Sequence, residues 1–304
     1  MTASGNVKVQ NKKSKMGMKA KEHIYQTILG FFLLLIALAM VVPFLYVIVI
    51  SFTDASVYES GKFMLWPEKW STAAYELILS GSGFLNALKS TLIITFIGTP
   101  LSVAVNAGLA YMLPKPIPGK GFLNKYVMFT MLFSAGMVPN YMNIQSLGLI
   151  DNYFACILPS ACGAWSVMVM RSFFQSLPIE LEEAAEIDGC GKLRIFSIIV
   201  IPLSKAMLAT MTLFSFVGYW NTYFNAVMYM TSTAKSPLQV YVQKIVLSSN
   251  ISDVVDIQNM ITNPVPQEVM RMAAVVVVVL PILIIYPFMQ KYFKTGMMVG
   301  AVKG

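Results

Sequence analysis

Six stretches of this chain, at about residues 24–52, 90–112, 126–148, 152–170, 206–230 and 272–290, contain no Asp, Glu, Lys or Arg. Crossing hydrocarbon takes ~20 consecutive apolar residues, and only a helix or a closed barrel can do it, because every backbone N–H and C=O must find a partner without water. No apolar/polar alternation of the kind a barrel needs runs through these stretches. The pattern therefore predicts an all-α membrane protein with six transmembrane helices. Composition agrees: charged residues are 12% of the chain, against about 25% in soluble domains, and the mean hydropathy is +0.67. The first stretch is too long for a signal-peptide core and is followed by no small-residue cleavage pattern, so it reads as a retained anchor helix.

The net charge of +8 takes its meaning from where the basic residues lie. With the N-terminus inside, 16 of the 22 Lys and Arg fall in cytoplasmic segments and five in outer ones, with Lys89 at an interface. That asymmetry is the positive-inside signature, so both termini are expected in the cytoplasm and nucleic acid is not expected as a partner. The chain divides into a basic cytoplasmic tail (1–23), a six-span transmembrane domain (24–290) whose longest cytoplasmic loop is 171–205, and a cytoplasmic C-terminal tail (291–304). The leader "KVQNKKSKMGMKAK" reads as an irregular, lipid-facing segment.

Several chemistries lack their raw material. The Gly-Lys pairs at 61, 119 and 191 are followed by Phe, Gly and Leu, so the chain has no phosphate-binding GxxxxGK[ST] loop with which to hydrolyse ATP itself. His23 is the single histidine and precedes the first span, which removes histidine-based catalysis and metal binding. Cys156, Cys162 and Cys190 are too few and scattered for a disulfide framework and read as small packing residues. Charge-free spans also argue against a proton-coupled carrier, whose ionisable groups normally sit inside the membrane. Prolines 43, 100, 139, 159, 281 and 287 weaken the spanning helices locally.

Against this apolar background, "ELEEAAEIDG" at 180–189 concentrates five of the 14 acidic residues in the loop 171–205. Pro178 suits a first helical turn, the glutamates then lie near the positive end of the helix dipole, and Gly189 suits a stop. A second short helix through Leu193–Ile201 should follow, running into Pro202 and the fifth span. By these features alone the segment is equally an ordinary solvated helix between two spans.

At full length, "EEAAEIDGCGKLRIFSIIVIPLSKA" resembles the signature loop of binding-protein-dependent permeases, the membrane subunits of ATP-binding-cassette importers. The matching positions are Glu183, Ala184, Ala185, Asp188, Gly189, Phe196, Ile199, Ile201 and Pro202. Cys190 replaces the usual Ala, Ile201 the usual Leu, and Ala206 a frequent Pro. "FFQSLPIELEEAA", "GYWNTYF" and "KYFKTGMMVGAVKG" are similar to the smaller partner subunit of maltose-type sugar permeases, and "SFTDASVYESGKFMLWPEKWSTAAYELIL" with "GAVKG" to a branch for oligosaccharides released from complex polysaccharides.

The resemblance implies a subunit of the bacterial cytoplasmic membrane that performs no bond chemistry. It implies a heterodimer with a second permease, two ATPase subunits that bind ATP and Mg in this chain's stead, an extracytoplasmic sugar-binding protein, and no cofactor on the chain itself. The loop would be a coupling helix seated in an ATPase cleft, with Glu183 the main contact, Ala184 and Ala185 allowing close approach and Gly189 setting the turn. In the tail, otherwise a frayed end, Gly300 and Lys303 become candidate ATPase contacts.

Amides and aromatic rings suit a saccharide's hydroxyls and flat faces. Tyr219, Trp220, Asn221, Tyr223 and Asn225 at the outer half of the fifth span, and Asn140, Tyr141, Asn143 and Gln145 at the end of the third, are candidates to line an outward cavity. Aromatic residues also collect at membrane interfaces for reasons unrelated to cargo. The outer segment 231–271 would face the binding protein. A different cargo, an ATP-independent carrier or channel, and a membrane scaffold or sensor remain as alternatives.

Overall fold

The computed structural model describes residues 4–62, 64–248 and 265–301, and among them the regular elements are helices, with one isolated β-bridge between Thr53 and Trp70. Helix α1 (Ser4–Ser51) begins well before residue 24, so the basic leader is helical from Ser4 and not irregular. Its Lys, Met and Ala residues are good helix formers, and the apolar run that follows propagates the same helix. From Glu22 to Leu45 its side chains are exposed, as a lipid-facing helix requires; Ile50, near its end, is buried.

After α2 (Ala73–Ser80) comes the central helix α3 (Ser82–Met112), which packs along two later helices, α7 (Ala164–Phe174) and α11 (Lys205–Trp220). The closing helix α14 (Gln267–Ala301) lies against α1 and α11. At Gly98 an added Cβ would stand 2.8 Å from the Tyr219 ring, so the α3–α11 contact requires glycine there.

The expected third span is not one helix. Residues 126–148 divide into α4 (Lys120–Leu132) and α5 (Met137–Ser146), neither long enough to cross alone. Gly136, at φ 85°, places the break, and Pro139 falls in the first turn of α5, where its missing N–H costs nothing. The run 152–170 is likewise divided: α6 (Tyr153–Ile157) passes through a 3-10 turn at Leu158–Ser160 and meets α7 at 48°. The last interrupted run, 206–230, stops at Trp220 and resumes as α12 (Phe224–Tyr229). Among the described residues, three helices are long and apolar enough to cross singly, at Glu22–Ser51, Ser82–Met112 and Gln267–Pro287, and two bent pairs raise the number to five. A charge-free run reports apolarity; it carries no information about where a helix breaks inside it.

What holds the 48° bend is a buried amide. Asn106, in mid-α3 and 2% exposed, donates to Ala161 O at 3.1 Å and accepts from Gly163 N at 2.9 Å. It thereby supplies the two backbone partners that residues 161–163 lose by leaving the helix.

Candidate functional site

The loop 171–205 folds as two short helices joined by a tight turn. Helix α8 (Ile179–Ile187) follows Pro178, with Glu180 and Glu182 in its first turn, where the dipole favours them. It ends in a Schellman turn: Cys190 N donates to Ala185 O at 2.9 Å and Gly189 N to Glu186 O at 3.0 Å, with Gly189 at φ 80°. Ala185 and Cys190, the apolar pair that accompanies such a turn, both pack into the cluster formed by the ends of α3 and α7.

Space around Gly189 is open, so a side chain there meets only the backbone penalty. Gly189→Ala should destabilise the turn by about 1–2 kcal/mol, and Gly189→Asn by less, measured as a lowered melting temperature of the purified chain.

Beyond the turn, α9 (Lys192–Ile195), a π-turn at Phe196–Val200 and α10 (Ile201–Leu203) lead to Ser204, where the chain bends 86° into α11. Pro202 lies in the first turn of α10, a position where its ring fits.

The two faces of α8 differ. Glu183 and Ala184 face solvent together with Asp188, and Glu183 bonds to no described residue. Beside them Ile187 and Leu193 are 86% and 85% exposed, two apolar side chains standing free on a hydrophilic loop.

The inner face is tied to α3. Glu182 forms an ion pair with Lys115, just past the end of α3, and accepts from Tyr111 Oη at 3.3 Å. The Lys115 ammonium lies 4.7 Å from the Tyr111 ring, which stacks on Phe196 at 4.9 Å. Phe196 meets Phe174 edge-on at 6.3 Å. A strut of Glu182, Lys115, Tyr111 and Phe196 thus joins both short helices to the central helix of the bundle. Glu182 lies in the acidic stretch 180–189 and Phe196 in the signature loop, both marked by the sequence, whereas nothing in the sequence marks Lys115 or Tyr111 as their partners. A lysine a few residues past a span and a glutamate beside the signature glutamate carry no local sign that they meet.

The amide clusters converge at the other end of the bundle. Asn140, Asn143 and Asn225 line one cleft of about 520 Å³, with Tyr229, Phe224, Pro159 and the backbone break at Ser134 and Gly136. Asn225 reaches Ser160 Oγ at 3.5 Å, and the Asn140 and Asn143 amides bond to no described residue.

Other candidates lie elsewhere. Tyr219 and Trp220 are buried, with Tyr219 Oη donating to Ile157 O at 3.0 Å and Trp220 Nε1 to Val278 O at 3.2 Å, so both sit in the packed interior and not on the cleft wall. Asn221 accepts from Gln239 at 2.8 Å, Tyr223 is half-buried beside α12, Tyr141 stacks on Tyr229, and Gln145 is exposed. Gly300 lies in the last turns of α14; Lys303 and the stretch 249–264 of the expected outer segment fall outside the described residues.

Near the cleft, Asp151 adopts φ 59° and clasps the chain after α12: its carboxylate bonds Lys235 Nζ at 2.7 Å, Ser232 N at 2.9 Å and Thr231 N at 3.2 Å. Lys235, followed by the Ser232 N–H, holds this carboxyl below the usual carboxylate range.

Residues 71–299 match the model of a family described as the binding-protein-dependent transport system inner membrane component. The chain belongs to this family. The polygalacturonan/rhamnogalacturonan transport system permease protein YtcP of Bacillus subtilis (strain 168) is 41% identical over 287 residues, covering 93% of this chain and 100% of that one. Protein LplC of the same organism is 39% identical over 267 residues, covering 87% of this chain and 90% of that one. A chain of a solved bacterial ABC transporter involved in the import of the acidic polysaccharide alginate superposes with a TM-score of 0.83 at 33% identity, over 90% of this chain and 98% of that one. The fold is therefore that of an ABC importer permease. As a member of this family the chain is an integral inner-membrane component of a transport system and not an enzyme.

Proposed function

We propose that this chain is one half of a heterodimeric permease in an ATP-driven oligosaccharide importer, coupled to cytosolic ATPase subunits through α8. The observation that carries the reading is the two-sidedness of that helix. Its outer face leaves Glu183, Ala184 and Ile187 uncovered beside Leu193, as a surface meant for a partner would, while its inner face is bolted to α3 by the Glu182–Lys115 pair. Displacement of α8 by closing ATPase subunits therefore moves α3, and with α3 the helices packed along it, α7 and α11. ATP and Mg belong to the ATPase partners; this chain contributes the lever and part of the pathway. Both termini are cytoplasmic, on the same side as the loop. Cargo arrives from an extracytoplasmic binding protein at the opposite end of the bundle, where the Asn140, Asn143 and Asn225 amides offer hydroxyl partners. The relatives named for polygalacturonan, rhamnogalacturonan and alginate support a saccharide cargo. The tail residues Gly300 and Lys303 complete the ATPase contact in this reading.

The test is ATP-dependent uptake by the reconstituted assembly with and without Glu183→Ala. Since Glu183 has no partner within the described chain, its loss leaves the fold intact and should either detach the ATPase or let it hydrolyse ATP without transport. Unchanged coupling in the variant, or sugar flux through the purified chain without ATP, contradicts the proposal.

A further inference from the structure

The coupling loop enters α11 through a corner occupied by a buried serine. The chain bends 86° between residues 192–203 and α11, and Ser204 stands at the bend. Its side chain is 0% exposed, and its hydroxyl bonds to no described residue. Nearby hydroxyls are satisfied: Ser197 Oγ donates to Arg194 O at 3.1 Å and Thr210 Oγ1 to Ala206 O at 3.0 Å. The comparably buried Thr91 donates to Ala87 O at 3.0 Å and accepts at 2.7 Å from Leu238 N, which opens helix α13 (Leu238–Leu247). An unpartnered hydroxyl out of reach of water destabilises the conformation that leaves it so. Its natural partners lie in its own helix. Ser204 is the N-cap of α11, and serine is a favoured cap because its oxygen accepts from the second or third helical N–H, here Ala206 or Met207. No such bond forms: a cap takes extended backbone, and Ser204 sits at φ −100° and ψ 16°.

We propose that Ser204 is the hinge of the coupling lever, a positioning residue whose hydroxyl caps α11 in a second setting of the bend. Rotating ψ of Ser204 into the extended region keeps the 2.9 Å bond from Leu208 N to Ser204 O, since both lie on the α11 side, and swings residues 192–203 on the other. The swinging arm is weakly regular next to the pivot: a π-turn at Phe196–Val200 precedes the three-residue α10, in which Pro202 brings no N–H. The surrounding contacts make a hinge necessary. The lever is bolted to α3 by the Glu182–Lys115 pair and is continuous with α11, while α3 and α11 meet at Gly98 and Tyr219, near the far end of α11. A triangle so closed moves only if a corner yields, and Ser204 is the corner whose side chain gains a partner by yielding. The hydroxyl therefore penalises the present bend and stabilises the other, so removing it shifts the balance twice in one direction, toward the present bend. The inference rests on the importer reading for what drives the swing.

The experiment uses the purified whole assembly in nanodiscs, with Cys156, Cys162 and Cys190 replaced by alanine and spin labels on Ile198→Cys and Phe214→Cys, exposed positions on the two arms of the bend. Pulsed electron resonance reads their spacing. With Ser204 in place two spacings should appear, the present one prevailing without nucleotide and the second gaining when a non-hydrolysable ATP analogue is added. Ser204→Ala should lower the ratio of second to first by at least about tenfold, through a relieved hydroxyl and a lost cap together, and should slow ATP-driven uptake in step. Ser204→Thr keeps a capping oxygen and should hold both near their original values. Heat stability of the nucleotide-free assembly should be equal or higher with Ser204→Ala, which removes only an unsatisfied group from the present bend. A ratio unchanged by Ser204→Ala, or lowered equally by Ser204→Thr, overturns the hinge, and so does a lowered heat stability with Ser204→Ala, which shows the hydroxyl bonded at rest. The importer reading is scored separately. A Ser204-dependent spacing that nucleotide does not move, in an assembly that imports no sugar, keeps the hinge and removes the importer reading; ATP-driven sugar uptake with one spacing in every variant removes the hinge alone.

Discussion

Glu182→Lys should reduce ATP-driven uptake by at least about tenfold, and adding Lys115→Glu to the same chain should restore most of it. The pair is mostly buried, with side-chain exposures of 24% for Lys115 and 16% for Glu182, so the single reversal places two ammonium groups together where water screens them poorly. It also removes the acceptor of Tyr111 Oη. The readout separates this residue from its neighbour. Glu183 faces outward, and its replacement should loosen the ATPase itself; Glu182 faces inward, and its reversal should leave the ATPase bound and hydrolysing while transport stops. Co-purification, ATPase rate and uptake measured together distinguish the two. Failure of the double reversal to rescue uptake shows that the strut does not carry the motion.

Asn106→Leu should lower stability by roughly 2–6 kcal/mol, because Ala161 O and Gly163 N both lose their partner inside the bundle and each unsatisfied group costs about 1–3 kcal/mol. The leucine is close in volume, so the loss measures the missing hydrogen bonds more than packing. Cys162 lies inside the break and is exposed, while Cys156 is buried, which makes Cys162 a native reporter. Its alkylation should accelerate in the variant as the bend loosens, together with a lower melting temperature. An unchanged melting temperature and labelling rate would show that the break is held by something other than this amide.

Much of the architecture was legible in the sequence because apolarity is a bulk property. A run such as 90–112 declares a buried or lipid-facing helix whatever it packs against, and "EIDGCG" declares a helix stop because Gly189 must take a positive φ. The divisions within runs were not legible. Gly136 and Pro159 are tolerated inside spanning helices as readily as they break them, and the outcome depends on whether a remote group accepts the freed backbone. For residues 161–163 that group is Asn106, which is 55 residues away and lies in a run that reads as apolar. The candidate site divides the same way. Glu183 and Gly189 carry local signals, while Lys115 and Tyr111 act through a partner set by the fold. Tyr219 and Trp220 show the converse: their polar tips suggested cargo, yet both tips are spent on backbone carbonyls within the bundle.

The ring of Tyr219 fills the notch above Gly98 and is anchored by its hydroxyl to the broken crossing at Ile157. One aromatic dowel therefore joins three crossings at mid-depth. Such a joint resists lengthwise sliding of α3 past α11, so under the proposed coupling a push on α8 is expected to arrive here as rotation of the joined helices and not as piston travel.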